Sequence, residues 1–234
     1  MIEKLRRWVE ESDNIVFFGG AGVSTESGIP DFRSAGGLYA HSPEYILSRT
    51  YFDSNTEEFY NFYRKYMIYT EAKPNMTHRV LAEMEKRGKI RAVITQNIDG
   101  LHQKAGSKNV IELHGGVRDN YCMICNEYYK LEYVVKSVGV PKCKVCGGIV
   151  KPKVTLYEEA LDMKEFEKAI EYIRDAEVLI VGGTSLVVQP AASLIDYYRG
   201  KRLVVINREK TPYNTRADMV INERLGEVFK KIGE

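Results

Sequence analysis

The chain lacks an excess of charge of either sign and lacks any long apolar run. Its 34 Lys and Arg residues nearly balance 32 Asp and Glu residues, so the formal net charge is only +2. No basic block stands out that would bind nucleic acid or an anionic membrane, and we expect neither partner. No stretch approaches the roughly 20 apolar residues of a membrane-spanning helix. Residues 1–14 mix acids and bases where a secretory signal is apolar, so we expect a cytoplasmic protein.

Cysteine is scarce, which excludes a disulfide scaffold. The four cysteines form two C-x2-C pairs, Cys122 with Cys125 and Cys143 with Cys146. The spacer of residues 126–142 has a length typical of zinc sites. Four thiolates fill a tetrahedral shell, so we predict a structural Zn²⁺ that does no chemistry. The alternatives, two disulfides or four unremarkable buried thiols, would leave the paired spacing to coincidence.

Hydrophobic residues make up 44% of the 234 residues, so the chain can bury a large core. Short apolar runs typical of buried strands alternate with amphipathic segments. The predicted strands are 15–18, 92–95, 110–113, 178–181, 203–206 and 219–221. The predicted helices are 3–11, 76–87 (followed by Gly88), 164–175, 190–199 and 224–232. This alternation predicts an α/β fold with a doubly wound, Rossmann-type parallel sheet.

Two segments do not follow this alternation. Residues 43–70 are rich in tyrosine and predicted to be helical, and residues 116–155 contain the four cysteines. We expect these two insertions to pack together as a small helical and zinc-ribbon lobe. The Rossmann-type NAD-binding domain would then consist of residues 1–42, 71–115 and 156–234. The sequence contains no long linker, so we expect the two parts to be closely coupled.

In a doubly wound fold, ligands bind at the carboxyl ends of the strands. The loop after the first predicted strand contains Gly20 and Gly22, whose spacing lets backbone amides approach a pyrophosphate. Thr25 stands where a dehydrogenase fingerprint has Gly or Ala, and no acidic residue ends a second strand about 20 residues later. Both departures argue against an oxidoreductase. His114, which precedes two glycines between the predicted lobes, is a candidate catalytic residue.

Motifs over nearly the whole chain resemble those of the sirtuin family, the NAD-dependent protein lysine deacylases. In chain order they are GAGVS (20–24), SGIPDFR (27–33), TQNIDGLH (95–102), HG (114–115), the two cysteine pairs, GTSL (183–186), PA (190–191) and NRE (207–209). The resemblance accounts for the altered fingerprint, because sirtuins hold NAD on a Rossmann-type sheet and consume it without exchanging a hydride.

The resemblance implies a set of residues that bind NAD as co-substrate. They are Gly20, Ala21, Gly22, Thr25, Asp31, Phe32, Arg33, Gln96, Asn97, Ile98, Asp99, Gly183, Thr184, Ser185, Asn207, Arg208, Glu209 and Leu225. The glycine loop and Arg33 would hold the diphosphate, residues 207–209 the adenine ribose, and Asp31, Ile98 and Asp99 the nicotinamide.

The resemblance also implies a catalytic set of His114, Asn97 and Phe32. The acyl-lysine amide oxygen would displace nicotinamide, and His114 would then act as general base toward a ribose hydroxyl. Asn97 would orient that ribose and Phe32 would exclude water. The products would be free lysine, nicotinamide and O-acetyl-ADP-ribose. The implied partner is an acetylated protein or peptide, and we expect a monomer.

The sequence departs from the family where the substrate peptide would bind. Many sirtuins have Phe-Gly-Glu where this chain has Tyr157, Glu158 and Glu159. Glu158 is expected either to lie along the bound peptide and favour basic neighbours of the acyl-lysine, or to point into solvent.

The acyl group and the reaction class stay open to alternatives. Members that remove acidic acyl groups use a Tyr-x-x-Arg pair, but here Tyr60 is followed by Tyr63, with Arg64 one position out of line. Acetyl or longer apolar groups are favoured, although the small Ala35 leaves succinyl open. Protein mono-ADP-ribosyl transfer, a NAD-dependent oxidoreductase and a non-enzymatic zinc-ribbon binding module are the other functions considered.

Overall fold

The computed structural model describes residues 1–34, 36–40 and 43–233. In them the strands are β1 (Ile15–Gly19), β2 (Ile90–Thr95), β3 (Val110–Glu112), β4 (Gly115–Cys122), β5 (Tyr128–Lys130), β6 (Val150–Val154), β7 (Val178–Gly182), β8 (Leu203–Ile206) and β9 (Met219–Ile221). The α-helices are α1 (Ile2–Glu11), α2 (Arg49–Ser54), α3 (Thr56–Tyr66), α4 (Met76–Lys86), α5 (Leu101–Ala105), α6 (Leu131–Lys136), α7 (Met163–Asp175) and α8 (Leu225–Gly233). Short 3₁₀ helices occupy Ala21–Val23, Thr25–Ser27, Leu38–Ala40, Glu44–Leu47 and Ala191–Tyr197.

The larger sheet has six parallel strands in the order β3-β2-β1-β7-β8-β9. Every residue of β1 and β7 is buried, as expected for strands covered on both faces. The register places Gly19, the last residue of β1, beside Thr95 of β2 and Gly182 of β7. The loops that follow these three strands therefore start side by side, at the point where the strand order reverses. This edge is where a doubly wound fold binds its ligand.

Two apolar layers cover the two faces of this sheet. On one face Phe17 packs with Leu5 of α1, Leu81 of α4 and Phe229 of α8. On the other face, Phe18 and its neighbours pack against α7 and the 3₁₀ helix Ala191–Tyr197. The doubly wound α/β fold predicted from the sequence is confirmed.

A smaller sheet of three antiparallel strands, in the order β5-β4-β6, lies with α2, α3 and α6. Its core is strongly aromatic: Phe52, Phe59, Tyr60 and Tyr63 are essentially inaccessible to solvent. Their rings pack mostly edge to face: the ring centroids of Phe52 and Phe59 are 4.9 Å apart, and those of Phe59 and Tyr60 are 5.4 Å apart. The elements come from two separate parts of the chain, and on this arrangement we propose residues 43–70 and 116–155 as the smaller lobe.

The predicted elements differ from the observed ones mainly at their ends. Gly88 has φ +78° and directly follows the Arg87 cap of α4, as predicted. The predicted helix 190–199 is a 3₁₀ helix over Ala191–Tyr197, which starts only after Pro190. Ala35 and residues 41 and 42 lie outside the described part. None of the described helices is both long enough and apolar enough to cross a membrane.

Candidate active site

A cavity of about 600 Å³ opens at the carboxyl ends of β1, β2 and β7. The end nearer the small sheet is lined by apolar and aromatic side chains, among them Leu47, Tyr66, Met67 and Leu156. The opposite end is lined by polar residues that follow β8 and by the start of α8. The cavity is large enough for an extended ligand with chemically different ends.

All residues predicted to bind NAD or to act in catalysis line this cavity, except Gly20. They are Ala21, Gly22, Thr25, Asp31, Phe32, Arg33, Gln96, Asn97, Ile98, Asp99, His114, Gly183, Thr184, Ser185, Asn207, Arg208, Glu209 and Leu225. Gly20 lies directly behind the wall, where its N–H donates to the Gly182 carbonyl at 3.3 Å.

The loops after β1 and β7 touch through their glycines. The Gly22 N–H donates to the Gly183 carbonyl at 2.8 Å, and a Cβ on Gly22 would lie 2.8 Å from that oxygen. Gly183 has φ +61°, a conformation that side chains rarely adopt. Both positions therefore require glycine, which leaves bare backbone at the cavity wall. Backbone of this kind suits the close approach of a diphosphate.

Three polar side chains form a hydrogen-bonded network on the opposite wall. The Ser24 hydroxyl donates to Asp99 Oδ2 at 2.6 Å, and Asn97 Nδ2 donates to the Ser24 oxygen at 3.1 Å. The Leu101 N–H donates to Asp99 Oδ1 at 2.8 Å. Burial raises the pKa of Asp99, while the hydrogen bonds from Ser24 and Leu101 oppose that rise. Ser24 was absent from the predicted site, although it ends the GAGVS motif.

His114 is held in one orientation by backbone. Its Nδ1 lies 3.0 Å from the Gln96 carbonyl oxygen. A carbonyl oxygen can only accept, so Nδ1 carries the proton in the neutral ring and Nε2 keeps its lone pair. Burial lowers the pKa of His114, and the hydrogen bond to Gln96 opposes this only in part. The imidazole is therefore neutral near pH 7, with Nε2 as a basic atom.

The residue after His114 joins the two sheets. Gly115 has φ +68°, and a Cβ there would lie 1.9 Å from the Lys153 carbonyl oxygen of β6. The Thr155 N–H donates to the His114 carbonyl oxygen at 3.0 Å. Only glycine fits this crossing, so the position of the imidazole depends on β6 of the small sheet as well as on β2.

Arg33 and Phe32 lie over the mouth of the cavity. Arg33 Nη2 donates to Glu44 Oε1 at 2.8 Å, and its guanidinium stacks on the Tyr39 ring at 5.4 Å. The Phe32 ring packs on the same tyrosine, with centroids 5.3 Å apart. The Tyr39 and Tyr157 hydroxyls are 3.1 Å apart, which ties this segment to the loop after β6.

The carboxylate of Glu158 is hydrogen-bonded to Thr50. Its Oε2 accepts hydrogen bonds from the Thr50 N–H at 2.8 Å and the Thr50 hydroxyl at 2.7 Å, in the first turn of α2. These bonds lower the pKa of Glu158. The residue has φ +75°, which explains why glycine suits this position in the family. Thr50 therefore fixes the carboxylate at the wall of the cavity, which Glu158 also lines, and its effect on the neighbours of the acyl-lysine stays a prediction.

Arg64 is directed away from the cavity, as its register in the sequence predicted. Its guanidinium donates to the carbonyl oxygens of Val134 and Gly139 in the small lobe, at 3.0 and 2.5 Å. The Tyr60 hydroxyl donates to the Val150 carbonyl oxygen. Neither residue lines the cavity, so Arg64 brings no positive charge to it.

The four cysteine sulfurs lie within 4.8 Å of one another. Cys122 Sγ is 3.4 Å from Cys146 Sγ, and Cys125 Sγ is 3.5 Å from Cys143 Sγ. A disulfide needs about 2.05 Å, so these are free thiols. A zinc tetrahedron with Zn–S bonds of about 2.3 Å places its sulfurs about 3.8 Å apart, and the cluster fits such an ion. All four positions would be protein ligands, which leaves none for a reacting group.

A parallel sheet with a glycine loop at its switch point and a separate four-cysteine lobe defines a dinucleotide-binding α/β protein with a structural metal module. The Sir2 family model matches residues 20–190. The chain therefore belongs to the Sir2 family.

Relatives match over the full length. An NAD-dependent protein deacetylase of Clostridium tetani is 57% identical, and one of Staphylococcus aureus is 43% identical; each match covers 99% of this chain and 97% of the relative. A Sir2 structure with deacetylated p53 peptide and 3′-O-acetyl-ADP-ribose has a TM-score of 0.93 at 40% identity, covering 99% of this chain and 96% of that one. A Sir2 complex with p53 peptide and NAD⁺ has a TM-score of 0.89 at 39% identity, with coverages of 99% and 97%.

Proposed function

We propose that this protein removes acetyl groups from lysine side chains of proteins and consumes NAD in doing so. The products are free lysine, nicotinamide and O-acetyl-ADP-ribose. The observation that carries the proposal is that the basic Nε2 of His114 shares one cavity with the Ser24, Asn97 and Asp99 network and with the Gly22 backbone. Full-length similarity to NAD-dependent protein deacetylases supports the same activity.

NAD is the co-substrate and spans the cavity. The backbone of Ala21 and Gly22, with Gly20 directly behind it, takes the diphosphate together with Arg33, because the bare backbone there admits close approach. Thr184 and Ser185 close on the adenosine side. Asn207, Arg208 and Glu209 take the adenine ribose, and the Asn207 side chain donates to the Glu209 carbonyl oxygen at 2.9 Å and so shapes that loop.

The nicotinamide lies against Asp31, Ile98 and Asp99. The Asp99 carboxylate accepts from the carboxamide N–H, and the hydroxyl of Ser24 keeps that carboxylate in position. An ionised carboxylate can only accept hydrogen bonds, so Asp99 favours the orientation in which the carboxamide N–H of nicotinamide points toward it.

His114 is the general base and removes a proton from a ribose hydroxyl. Gln96 fixes the imidazole through its backbone, Asn97 orients the ribose, and Phe32 excludes water from the reacting carbon. Zinc is held by the four cysteines and supplies no chemistry, since its coordination shell is complete. Its contribution is to hold the small sheet, whose β6 fixes the turn at Gly115.

The substrate is an acetylated protein or peptide, and the acyl group is acetyl or a longer apolar chain. The apolar inner end of the cavity and the outward direction of Arg64 support this choice. We further propose that the protein acts as a monomer in the cytoplasm, where reduced thiols persist and can hold zinc.

The test is incubation of the purified protein with NAD and acetyl-, octanoyl- and succinyl-lysine peptides, followed by mass spectrometry. We expect deacylated peptide, nicotinamide and acyl-ADP-ribose in equal amounts, with succinyl the poorest substrate. A change in absorbance at 340 nm would indicate an oxidoreductase, and peptide that carries ADP-ribose would indicate ADP-ribosyl transfer. Absence of NAD turnover would indicate a non-enzymatic binding module.

The matched variant is His114→Ala. Loss of a general base lowers kcat/KM by about 10² or more. Loss of nicotinamide precedes the step that needs the base, so exchange of labelled nicotinamide into NAD in the presence of acetyl peptide is retained. Deacetylation near the wild-type rate would remove His114 from the mechanism.

A further inference from the structure

The first turn of α8 forms part of the cavity wall and is packed against glycines. The Leu225 side chain lies on the end of β7, where a Cβ on Gly182 would be 2.6 Å from Leu225 Cδ2. A Cβ on Gly183 would be 2.8 Å from Leu225 Cδ1. Gly183 in turn contacts Gly22 of the loop after β1. The position of the Leu225 side chain against these glycines therefore depends on the position of α8.

Glu26 holds the residue that follows Leu225. The Gly226 N–H donates to Glu26 Oε1 at 3.0 Å, across 200 positions of sequence. A Cβ on Gly226 would lie 2.2 Å from Glu26 Oε2, so the carboxylate occupies the space a side chain would need. A carboxylate that accepts from a helix N-terminal N–H is also favoured by the helix dipole.

Glu26 is itself fixed to the glycine loop. It lies in the 3₁₀ helix Thr25–Ser27, and the Thr25 hydroxyl donates to the Gly22 carbonyl oxygen at 3.0 Å. The contacts thus close a ring from Gly22 through Gly183, Leu225 and Gly226 to Glu26, and back along the chain to Gly22. Each contact in this ring is tight enough to transmit a displacement of α8 to the cavity wall.

We propose that Glu26 is a positioning residue for NAD, which holds the first turn of α8 so that Leu225 forms the wall of the adenosine half of the cavity. The proposal rests on the proposed use of NAD by this cavity. Glu26 does not hydrogen-bond Asp99 or His114 in the described contacts, so its loss acts on NAD affinity and leaves the chemical step intact.

The experiment measures kcat and the KM for NAD in Glu26→Ala, Glu26→Gln, Gly226→Ala and the double variant Glu26→Ala/Gly226→Ala. Glu26→Ala raises the KM for NAD about three- to ten-fold with kcat within about two-fold and with an unchanged peptide KM. Glu26→Gln keeps an acceptor for the Gly226 N–H and restores most of the affinity. Glu227→Ala removes an exposed acid from the same helical turn and serves as the matched control.

Gly226→Ala tests the ring of contacts because its effect on the KM for NAD should not add to that of Glu26→Ala. Gly226→Ala alone collides with the carboxylate and raises the KM for NAD at least as much as Glu26→Ala. In the Glu26→Ala background the added methyl group has room, so the double variant is no worse than Glu26→Ala. Amide hydrogen exchange in the first turn of α8 rises in Glu26→Ala, whereas exchange in α7 does not.

Three results would overturn the proposal: additive KM effects, an unchanged KM for NAD in Glu26→Ala, or a fall in kcat at constant KM. In each of these the wild type still consumes NAD. Absence of NAD turnover in the wild type would instead overturn the proposed function, and the hydrogen-exchange comparison would still decide whether Glu26 holds α8.

Discussion

The two sheets of this protein are stabilised in different ways. In the larger sheet, β1 and β7 are buried along their whole length, and their stability is spread over two apolar layers. In the smaller sheet, β4 contains both buried and exposed residues, and four free thiols cluster at its end, where Cys122 lies. A distributed core tolerates the loss of one contact, whereas a sheet tied by one ion depends on that ion. The imidazole of His114 lies between the two sheets, and its position depends on both.

Removal of zinc is the change with the largest expected effect. Structural zinc contributes about 10 to 16 kcal/mol of apparent binding free energy in small zinc modules, which is folding free energy for the small sheet. We expect Cys143→Ser, or treatment with a chelator, to abolish activity and to expose amides of β4 and β6 to exchange.

The larger sheet supplies the control for this experiment. Trp8 is the only tryptophan and packs on the core beneath the larger sheet. Its fluorescence should stay native when zinc is removed. Simultaneous loss of the Trp8 signal would mean that the two sheets unfold as one unit and that the contrast between them is wrong.

Phe17→Ala is the corresponding change in the larger sheet. The ring is fully buried and contacts Phe229 edge to face, with centroids 5.6 Å apart. Truncation of a buried phenylalanine costs about 3 to 5 kcal/mol of unfolding free energy. Urea unfolding should show this loss, while zinc content per chain stays at the wild-type value. Loss of zinc from the folded variant would contradict the separation of the two cores.

Acid should weaken the larger sheet through two buried histidines. His78 and His102 lie with ring centroids 4.7 Å apart between α4 and α5. Burial lowers the pKa of His78 to about 4 and the pKa of His102 well below its usual range. Both rings are neutral in the folded protein but take up protons below about pH 6.5 when it unfolds. Stability is therefore complete above that pH and falls as the pH drops toward the folded-state values.

The measurement is urea unfolding followed by Trp8 fluorescence between pH 7 and 4. His78 alone accounts for a loss on the order of 3 kcal/mol by pH 4. His78→Gln cannot take up this proton, so its stability should depend less steeply on pH. Equal slopes in the two proteins would show that His78 is not the responsible group.

The smallest effect is expected for Glu158→Gly, at the contact between the loop after β6 and α2. Glycine relieves a positive φ that costs a side-chain residue about 1 to 2 kcal/mol, but the bonds to Thr50 are lost and offset much of that gain. We expect a net change within about 1 kcal/mol. The ratio of kcat/KM for peptides with basic and acidic neighbours of the acetyl-lysine should change less than about two-fold. A larger change would show that Glu158 contributes directly to peptide selectivity.

The elements that the sequence predicted correctly are those with a local cause. The strand 203–206 and the helix 164–175 follow from apolar runs and periodicity, and their observed bounds agree to within one residue. The zinc site followed from the spacing of four cysteines. The cavity residues followed from motifs that each lie on a single loop, although their roles in binding and catalysis stay predictions.

What the sequence did not predict depends on contacts between distant residues. Ser24 reaches Asp99 only because β1 and β2 are neighbours in register, and Glu26 reaches Gly226 across nearly the whole chain. The hydrogen bonds of Glu158 to Thr50 belong to this class too, because Thr50 enters from another element of the chain. A positive φ at a residue other than glycine is likewise not visible in a single sequence.

The order of strands in the larger sheet has a consequence for how the protein reaches its fold. β1 is the first strand in the sequence, yet its partners in the sheet are β2 and the much later β7. Closing a long loop costs entropy that grows with the logarithm of its length, and folds rich in such pairings assemble slowly. Zinc joins Cys122 to Cys146 and so shortens the free chain between β1 and β7, which pair in the larger sheet. We therefore expect a chain that binds zinc early to pair β7 with β1 faster than a chain without zinc.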